Sequence, residues 1–225
     1  MAFDTKTFKT RTLSAIIFAV VMLGGLLWNQ WSFVLLFTLI HFGAWYEFVK
    51  LLKKISLDSF RSRIPLGLFY ISLPIVLLIF IRIEPLGGKP DDFLKVLPCG
   101  IIFSIWINDT MAYITGSFIG KTPLSSISPK KTVEGTLGGI ILSVLVITIA
   151  GSFIGYYSWI HWLMISLISS TAGTLGDLLE SKLKRLAGVK DSGNILPGHG
   201  GFLDRFDSLL IAIPFVFVYY QLFIR

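Results

Sequence analysis

The residues best suited to chemistry lie between positions 176 and 207, where charged residues and glycines are concentrated. Five of the thirteen acidic residues fall in this stretch, together with five of the twenty lysines and arginines. Carboxylates and phosphate oxygens are the ligands that Mg²⁺ prefers, and lysine and arginine bind phosphate. The stretch therefore predicts a site for a divalent metal and phosphate groups, and the apolar segments around it indicate a membrane surface.

The first group of such residues is a helix face near residue 180. Asp177, Ser181 and Lys184 are spaced i, i+4 and i+7, so they share one face. A carboxylate, a hydroxyl and an ammonium group on one face can bind a metal and an adjacent phosphate. The alternative is an ion-paired helix end that faces water. Asp177 follows an apolar run closely, and a charge without a function is costly near membrane depth, which favours the functional interpretation.

The second group follows a glycine-rich segment, Pro197-Gly-His-Gly-Gly201. It predicts a turn whose backbone N–H groups can bind an anion. His199 either contacts that phosphate or only fills the turn, and the sequence leaves both interpretations open. Asp204 and Asp207, at i and i+3, project from one face of the following helix. With Asp177 they would give convergent carboxylates, which suit Mg²⁺ better than any set of histidines and cysteines in this chain.

Two further clusters lie upstream. Asp109 follows Asn108 late in an apolar segment, where a charged residue is a functional candidate by default. The alternative is a polar residue satisfied by a neighbouring helix. The other cluster lies on the same predicted side of the membrane and suggests a phosphate clamp; its members are Lys130, Lys131, Thr132 and Glu134.

The composition is that of an integral membrane protein. Hydrophobic residues make up 54% of the 225 residues, charged residues make up 15%, and the mean hydropathy is +0.77. Soluble domains carry about 25% charged residues, and the apolar residues here occur in long runs. The single cysteine, Cys99, excludes an intrachain disulfide and does not suggest a metal cluster. The net charge of +7 follows from membrane topology and requires no nucleic-acid partner.

The apolar runs predict an all-α, polytopic helical bundle of about seven transmembrane helices, because one crossing needs about 20 apolar residues. The predicted spans are 12–28, 31–49, 65–83, 94–116, 136–157, 159–178 and 208–224, and broken helices would raise their number. A cytoplasmic N-terminus puts sixteen of the twenty lysines and arginines on the inner side, as the positive-inside rule requires. The active-site cavity then opens to the cytoplasm. Three glycine pairs, at 116 and 120, 135 and 139, and 151 and 155, predict close helix packing rather than ligand binding.

At these residues the chain resembles the phosphatidate cytidylyltransferases, also called CDP-diacylglycerol synthases. Their signature is a Ser, a Lys-Arg pair, Lys-Asp, a Pro-Gly-His-Gly-Gly turn and Asp-Arg-x-Asp. This sequence has the same elements at matching spacings, at Ser181, Lys184-Arg185, Lys190-Asp191, 197–201 and 204–207. The resemblance covers roughly residues 100–210. The chain departs from the pattern at Ser117, where an Arg is expected, and at Val133, where a Trp is common.

The resemblance implies one polytopic membrane domain over residues 1–225. Residues 1–95 would form variable N-terminal spans, and residues 96–225 the catalytic part with the signature at 181–207. The implied reaction transfers the cytidylyl group of CTP to phosphatidate, which gives CDP-diacylglycerol and pyrophosphate in phospholipid biosynthesis. The implied location is the cell inner (plasma) membrane, among membrane lipids. A homodimer is compatible with the sequence.

The resemblance also implies a cofactor and a role for each candidate site residue. The implied cofactor is Mg²⁺, and a second metal or a monovalent ion is compatible with the site. The implied metal ligands are Asp177, Asp204 and Asp207. The implied catalytic residues are Asp109, Lys184, Arg185, Lys190 and Asp191. The implied substrate-binding residues are Ser181, Lys130, Lys131, Thr132, Glu134, His199, Gly200 and Arg205.

Three alternatives are distinguishable by experiment. A CTP-dependent polyprenol or phytol kinase would phosphorylate an alcohol and release CDP rather than pyrophosphate. A CDP-archaeol synthase would differ only in its lipid substrate. An ion or lipid transporter, from a different class, could also bury Asp109 and Asp177. It would move solute without consuming nucleotide, and it would leave the glycine-rich turn unexplained.

Overall fold

A computed structural model describes residues 5–83, 91–195 and 200–225, and of residues 5–11 it describes the backbone alone. The regular secondary structure of the described chain is helical, apart from one isolated bridge between Pro123 and Thr132. The helices are α1 (Thr5–Leu27), α2 (Gln30–Ile55), α3 (Phe60–Arg63), α4 (Leu73–Ile83), α5 (Asp91–Ile119), α6 (Val133–Ile154), α7 (Trp159–Leu186) and α8 (Leu203–Phe223), with a π-helical turn at Leu68–Ser72 before α4.

Six helical segments are long and apolar enough to cross a membrane: Gln30–Ile55, Phe60–Ile83, Asp91–Ile119, Val133–Ile154, Trp159–Leu186 and Leu203–Phe223. The first predicted span corresponds to a shorter apolar stretch, Thr12–Leu27. The prediction of a polytopic helical membrane protein is therefore confirmed.

Local sequence explains where several helices begin and end. The Asn29 side chain accepts hydrogen bonds from the backbone N–H groups of Trp31 and Ser32, at 2.8 and 2.9 Å, and so caps α2. Thr132 caps α6 in the same way through Gly135, at 3.1 Å. Gly155 ends α6 with a φ of 76°, a left-handed conformation that glycine adopts without strain. The capped start of α6 fixes the loop that carries the predicted phosphate clamp.

Two predicted span boundaries differ from the observed helix ends, and both differences affect the site. The span predicted at 159–178 continues as α7 to Leu186, and the span predicted at 208–224 begins as α8 at Leu203. Polar residues indicate an earlier end for the first of these spans and a later start for the second. The helical extensions carry the acidic residues of the 176–207 stretch at fixed positions on two neighbouring helices.

α8 lies at the centre of the bundle, packed against α4 and α7, while α5 packs against α6 and α7. Phe206 of α8 meets Phe18 of α1 and Phe37 of α2, with ring centroids 6.2 and 6.3 Å apart. The close packing predicted at Gly155 is wrong, because a Cβ there would meet no atom within 4 Å. The close packing predicted at Gly135 and Gly139 is confirmed, because a Cβ at either of these two glycines would lie 2.7 Å from a backbone oxygen of α5. Close contacts of this kind hold the helix ends that form the site.

α7 and α8 cross most tightly at Gly176. A Cβ atom there would lie 2.5 Å from the carbonyl oxygen of Asp207 and 3.0 Å from the Cα of Ser208. Both atoms belong to the backbone, so they cannot move away unless α8 moves as well. Gly176 thus lets the two helices approach next to their acidic side chains.

Replacing Gly176 with Ala is expected to lower the free energy of unfolding by about 1–3 kcal/mol, because the added methyl group overpacks this crossing. The measurement is thermal unfolding of the purified protein in detergent. Gly24→Ala is the matched control, since a Cβ at Gly24 would meet no atom within 4 Å. Equal melting temperatures for the two variants would contradict the proposed crossing.

Candidate functional site

Three carboxylates from α7 and α8 form a compact cluster next to Gly176. Asp177 and Glu180 come from α7 and Asp207 comes from α8, and one ligand oxygen from each lies within 4.8 Å of the others. Asp177 and Glu180 are three residues apart, so they share a helix face that is turned toward α8. Glu180 is fully buried and Asp207 is nearly so. We call these three residues the carboxylate cluster.

Two lysines contact the cluster. Lys131, from the loop before α6, forms an ion pair with Asp177. The Nζ atom of Lys184 lies 2.5 Å from Oε2 of Glu180 and 2.7 Å from Oδ1 of Asp204. These ion pairs thus place two ammonium groups among four carboxylates, which are the three of the cluster and that of Asp204.

The carboxylate cluster fits a divalent cation. An ionised carboxylate is costly to bury unless it is paired, and the described ion pairs do not balance the charge. Within the described part of the chain, Oε1 of Glu180 is buried without a hydrogen-bond partner. Carboxylate oxygens are hard donors, and Mg²⁺ is bound through a few carboxylates together with substrate phosphates. Asp177, Glu180 and Asp207 could therefore hold such an ion.

Asp204 lies outside the carboxylate cluster, although the sequence grouped it with Asp177 and Asp207. Its Oδ1 atom is paired with Lys184. Its Oδ2 atom accepts hydrogen bonds from the backbone N–H of Gly201 at 2.8 Å and from both the N–H and the hydroxyl of Ser192 at 2.9 Å. These contacts hold the loop before α8. Metal binding by Asp204 stays a prediction.

Glu180 is the site residue that the sequence analysis did not select. Its signal was present, because Glu180 is three residues after Asp177 and one residue before Ser181. The predicted helix face consists instead of the i, i+4 and i+7 positions, which face a slightly different direction. Ser181 is close to the cluster, with its hydroxyl oxygen 3.4 Å from Oδ1 of Asp177.

A cavity of about 650 Å³ opens beside the carboxylate cluster and shares Asp177 with it. Its volume is within the range of small-molecule sites, about 300–1,000 Å³. Besides Asp177, four of the predicted site residues line it: Asp109, Lys130, Lys131 and Thr132. The structure therefore brings together the upstream clusters and the 176–207 stretch, which are far apart in sequence.

Lys131 lies where the cavity meets the carboxylate cluster. Burial lowers the pKa of its amino group, and the nearby carboxylate of Asp109 opposes that effect. A partly buried ammonium group next to an open cavity can pair with an entering anion. Lys131 is thus placed between the carboxylate cluster and the space that a phosphate group could occupy.

Glu134 has a supporting position. Its carboxylate accepts hydrogen bonds from the backbone N–H of Lys121 at 3.1 Å and from the hydroxyl of Thr122 at 2.8 Å. These bonds tie the start of α6 to the beginning of the preceding loop, just after α5. A direct substrate contact by Glu134 stays a prediction, while its structural contacts account for its place in the cluster of residues 130–134.

The remaining predicted residues lie around the end of α7 and the start of α8. Arg185 donates a hydrogen bond from Nη1 to the carbonyl oxygen of Val189 at 3.1 Å. Lys190 and Asp191 are exposed. Arg205 lines a smaller cavity of about 200 Å³ between α1, α2 and α8.

The glycine-rich turn is described only in part. Gly200 has a φ of 84°, as a turn position that favours glycine requires. His199 lies outside the described residues, as do residues 196–198.

Comparisons with known proteins agree with this geometry. Residues 64–223 match the model of the cytidylyltransferase family. A phosphatidate cytidylyltransferase of Bacillus subtilis (strain 168) is 50% identical over 121 residues, which is 53% of this chain and 45% of that protein. One from Synechocystis is 43% identical over 142 residues, or 59% of this chain and 46% of that protein. One from Staphylococcus aureus (strain COL) is 48% identical over 113 residues, or 49% and 43%.

The segment that matches the family model includes all the described carboxylates and lysines of the site. The alignments with the three relatives each span less than half of the relative's length. The family model itself covers well over half of this chain, from the end of α3 to the end of α8. The chain is therefore an integral membrane member of the cytidylyltransferase family.

Proposed function

We propose that this protein transfers the cytidylyl group of CTP to phosphatidate and releases pyrophosphate. The observation that carries the proposal is the carboxylate cluster on α7 and α8, which adjoins a lysine-lined cavity of about 650 Å³. Relatives at 43–50% identity are named phosphatidate cytidylyltransferases, which supports the same substrates here. CDP-diacylglycerol would be the lipid product.

The reaction joins two anions, so charge neutralisation is the main demand on the site. A phosphate oxygen of phosphatidate attacks the α-phosphorus of CTP, the bond from that phosphorus to the bridging oxygen of the β-phosphate breaks, and pyrophosphate leaves. Lys131 and Lys130 line the cavity and would neutralise phosphate charge during attack and departure. The phosphate monoester is already ionised at neutral pH, so no general base is required.

A divalent cation bound by the carboxylate cluster would be a second source of positive charge. A divalent cation held by Asp177, Glu180 and Asp207 would, when bound, stabilise negative charge on the phosphate oxygens. Lys184 pairs with Glu180 and Asp204, so it orients these carboxylates. We infer that Lys184 serves the site mainly through this orientation.

The proposed location is the inner leaflet of a bacterial inner membrane, with the N-terminus in the cytoplasm. The end of α5, the start of α6, the end of α7 and the start of α8 all contribute to one site. Most of the basic residues belong to the predicted cytoplasmic segments, which supports this orientation. CTP would then enter from the cytoplasm and phosphatidate from the surrounding leaflet.

The test is a product assay with the purified full chain in detergent. CTP labelled at its α-phosphate is incubated with phosphatidate and Mg²⁺. The expected result is label in the lipid fraction and one pyrophosphate released for each lipid formed. Release of labelled CDP, with transfer of the γ-phosphate to an added polyprenol, would identify a kinase instead and overturn the proposal. An Asp207→Asn preparation provides the background.

A further inference from the structure

Glu47 is a buried acid that no part of the proposed reaction uses. It lies within the apolar helix α2 and is 3% exposed. Helix α2 precedes the segment that matches the family, which begins at residue 64. A carboxylate in such a helix is costly unless its surroundings supply hydrogen bonds, so its contacts indicate what it does.

The Glu47 carboxylate caps a helix to which it does not belong. It accepts hydrogen bonds from the backbone N–H groups of Phe202 at 3.0 Å and Leu203 at 2.9 Å. These are the first N–H groups of α8, and the residue at the cap position, Phe202, has no side chain that could accept them. A negative charge at this position also stabilises the helix dipole.

The loop before α8 is built around the same carboxylate. A Cβ atom at Gly193 or Gly201 would overlap with the Glu47 carboxylate oxygens. The hydroxyl of Ser192 lies 2.7 Å from Oε2 of Glu47. The loop therefore approaches Glu47 with two glycines and a hydroxyl, and it encloses the acid from several sides.

Ser192 connects Glu47 to the carboxylate cluster. Its hydroxyl and its N–H both lie 2.9 Å from Oδ2 of Asp204, whose other oxygen pairs with Lys184. Lys184 in turn contacts Glu180. Asp207, the remaining acid on α8, lies just over one turn beyond the N–H groups that Glu47 caps.

We propose that Glu47 is a positioning residue for the carboxylate cluster. By capping α8 and holding Ser192, it fixes the register at which Asp204 and Asp207 of α8 face Lys184 and the acids of α7. The N-terminal segment would thus contribute to the site through a buried contact. The turnover measurement below rests on the proposed function, whereas the metal-binding and exchange measurements do not.

The first experiment is a Mn²⁺ titration of the purified full chain, followed by electron paramagnetic resonance, without nucleotide or lipid. Glu47→Ala is expected to weaken Mn²⁺ binding about 10–100-fold, as the loss of supporting contacts typically does. Glu47→Gln keeps an oxygen acceptor for α8 and should recover part of that loss. Asp58→Asn, at an exposed acid just after α2, is the matched control and should bind like the parent.

A second measurement separates positioning from general destabilisation. Amide hydrogen exchange at residues 201–205 should accelerate in Glu47→Ala, while exchange in the middle of α5 and α6 should not change. Parental Mn²⁺ affinity in both Glu47 variants would overturn the inference, and so would unchanged exchange at the start of α8. Absence of saturable Mn²⁺ binding in the parent would overturn it as well.

A turnover measurement distinguishes failure of the positioning role of Glu47 from failure of the proposed cytidylyl transfer. If Glu47 controls Mn²⁺ affinity but the parent makes no CDP-diacylglycerol, the positioning role stands and the proposed reaction fails. If the parent is active and both variants match it in turnover number and in the Mg²⁺ concentration for half-maximal rate, the positioning role fails. The expected result is a higher half-maximal Mg²⁺ concentration in Glu47→Gln with a smaller change in turnover number.

Discussion

Replacing Asp207 with Asn is expected to reduce CTP-dependent lipid labelling by about 10³-fold or more while the helical bundle still forms. The amide has nearly the same shape and can still accept the hydrogen bond from the N–H of Ser208. It removes one of three charges that could bind a cation. A metal ion contributes several kcal/mol to catalysis of phosphate chemistry, and each 1.4 kcal/mol is about tenfold in rate.

Asp177→Asn should show a similar loss, because Asp177 belongs both to the carboxylate cluster and to the cavity. Size-exclusion profiles and thermal unfolding in detergent establish that each variant is folded. Asp92→Asn is the control, since Asp92 lies outside the site and, among the described residues, forms its ion pair with Lys95 near the start of α5. Near-normal turnover in both cluster variants would remove these carboxylates from the mechanism.

Removing divalent cations is expected to have an equally large effect. Excess EDTA should stop lipid labelling, and added Mg²⁺ should restore it, because the buried carboxylates would otherwise repel the phosphates of CTP. The control is the same amount of EDTA already saturated with Mg²⁺. A rate that is unchanged in free EDTA would show that the reaction needs no divalent ion.

The helical architecture was predictable because long apolar runs determine it almost alone. The predicted close packing at Gly135 and Gly139 also followed from residue type, since small residues let helices approach in a membrane. The exact helix ends were not predictable in the same way. α7 and α8 continue into charged sequence because side chains from other segments pair with those charges, as Lys131 does with Asp177 and Lys184 with Asp204.

The sequence predicted many of the residues that belong to the site, but not which of them contact each other. Asp109, Lys130, Lys131 and Asp177 were selected from separate motifs, and they line one cavity. Spacing within a helix could not show that Asp204 faces the preceding loop while Asp207 faces α7. That choice depends on how far α8 is rotated, which Ser192 and Glu47 help to set from outside the helix.

Glu47 shows a further limit of sequence reasoning. A single acid in an apolar helix is a signal, but its partners are 145 to 156 residues away. Only the packing of α2 beside the start of α8 reveals that the carboxylate replaces a missing cap. The same contact explains why Gly193 and Gly201 have no room for side chains.

The position of a bound cation would be observed most directly by anomalous diffraction from crystals of the full chain grown with Mn²⁺. We expect one strong anomalous peak in contact with carboxylate oxygens of Asp177, Glu180 and Asp207, at the junction of α7 and α8. A peak bound only by other residues, or carboxylates of these two helices too far apart to share one ion, would contradict the proposed metal site.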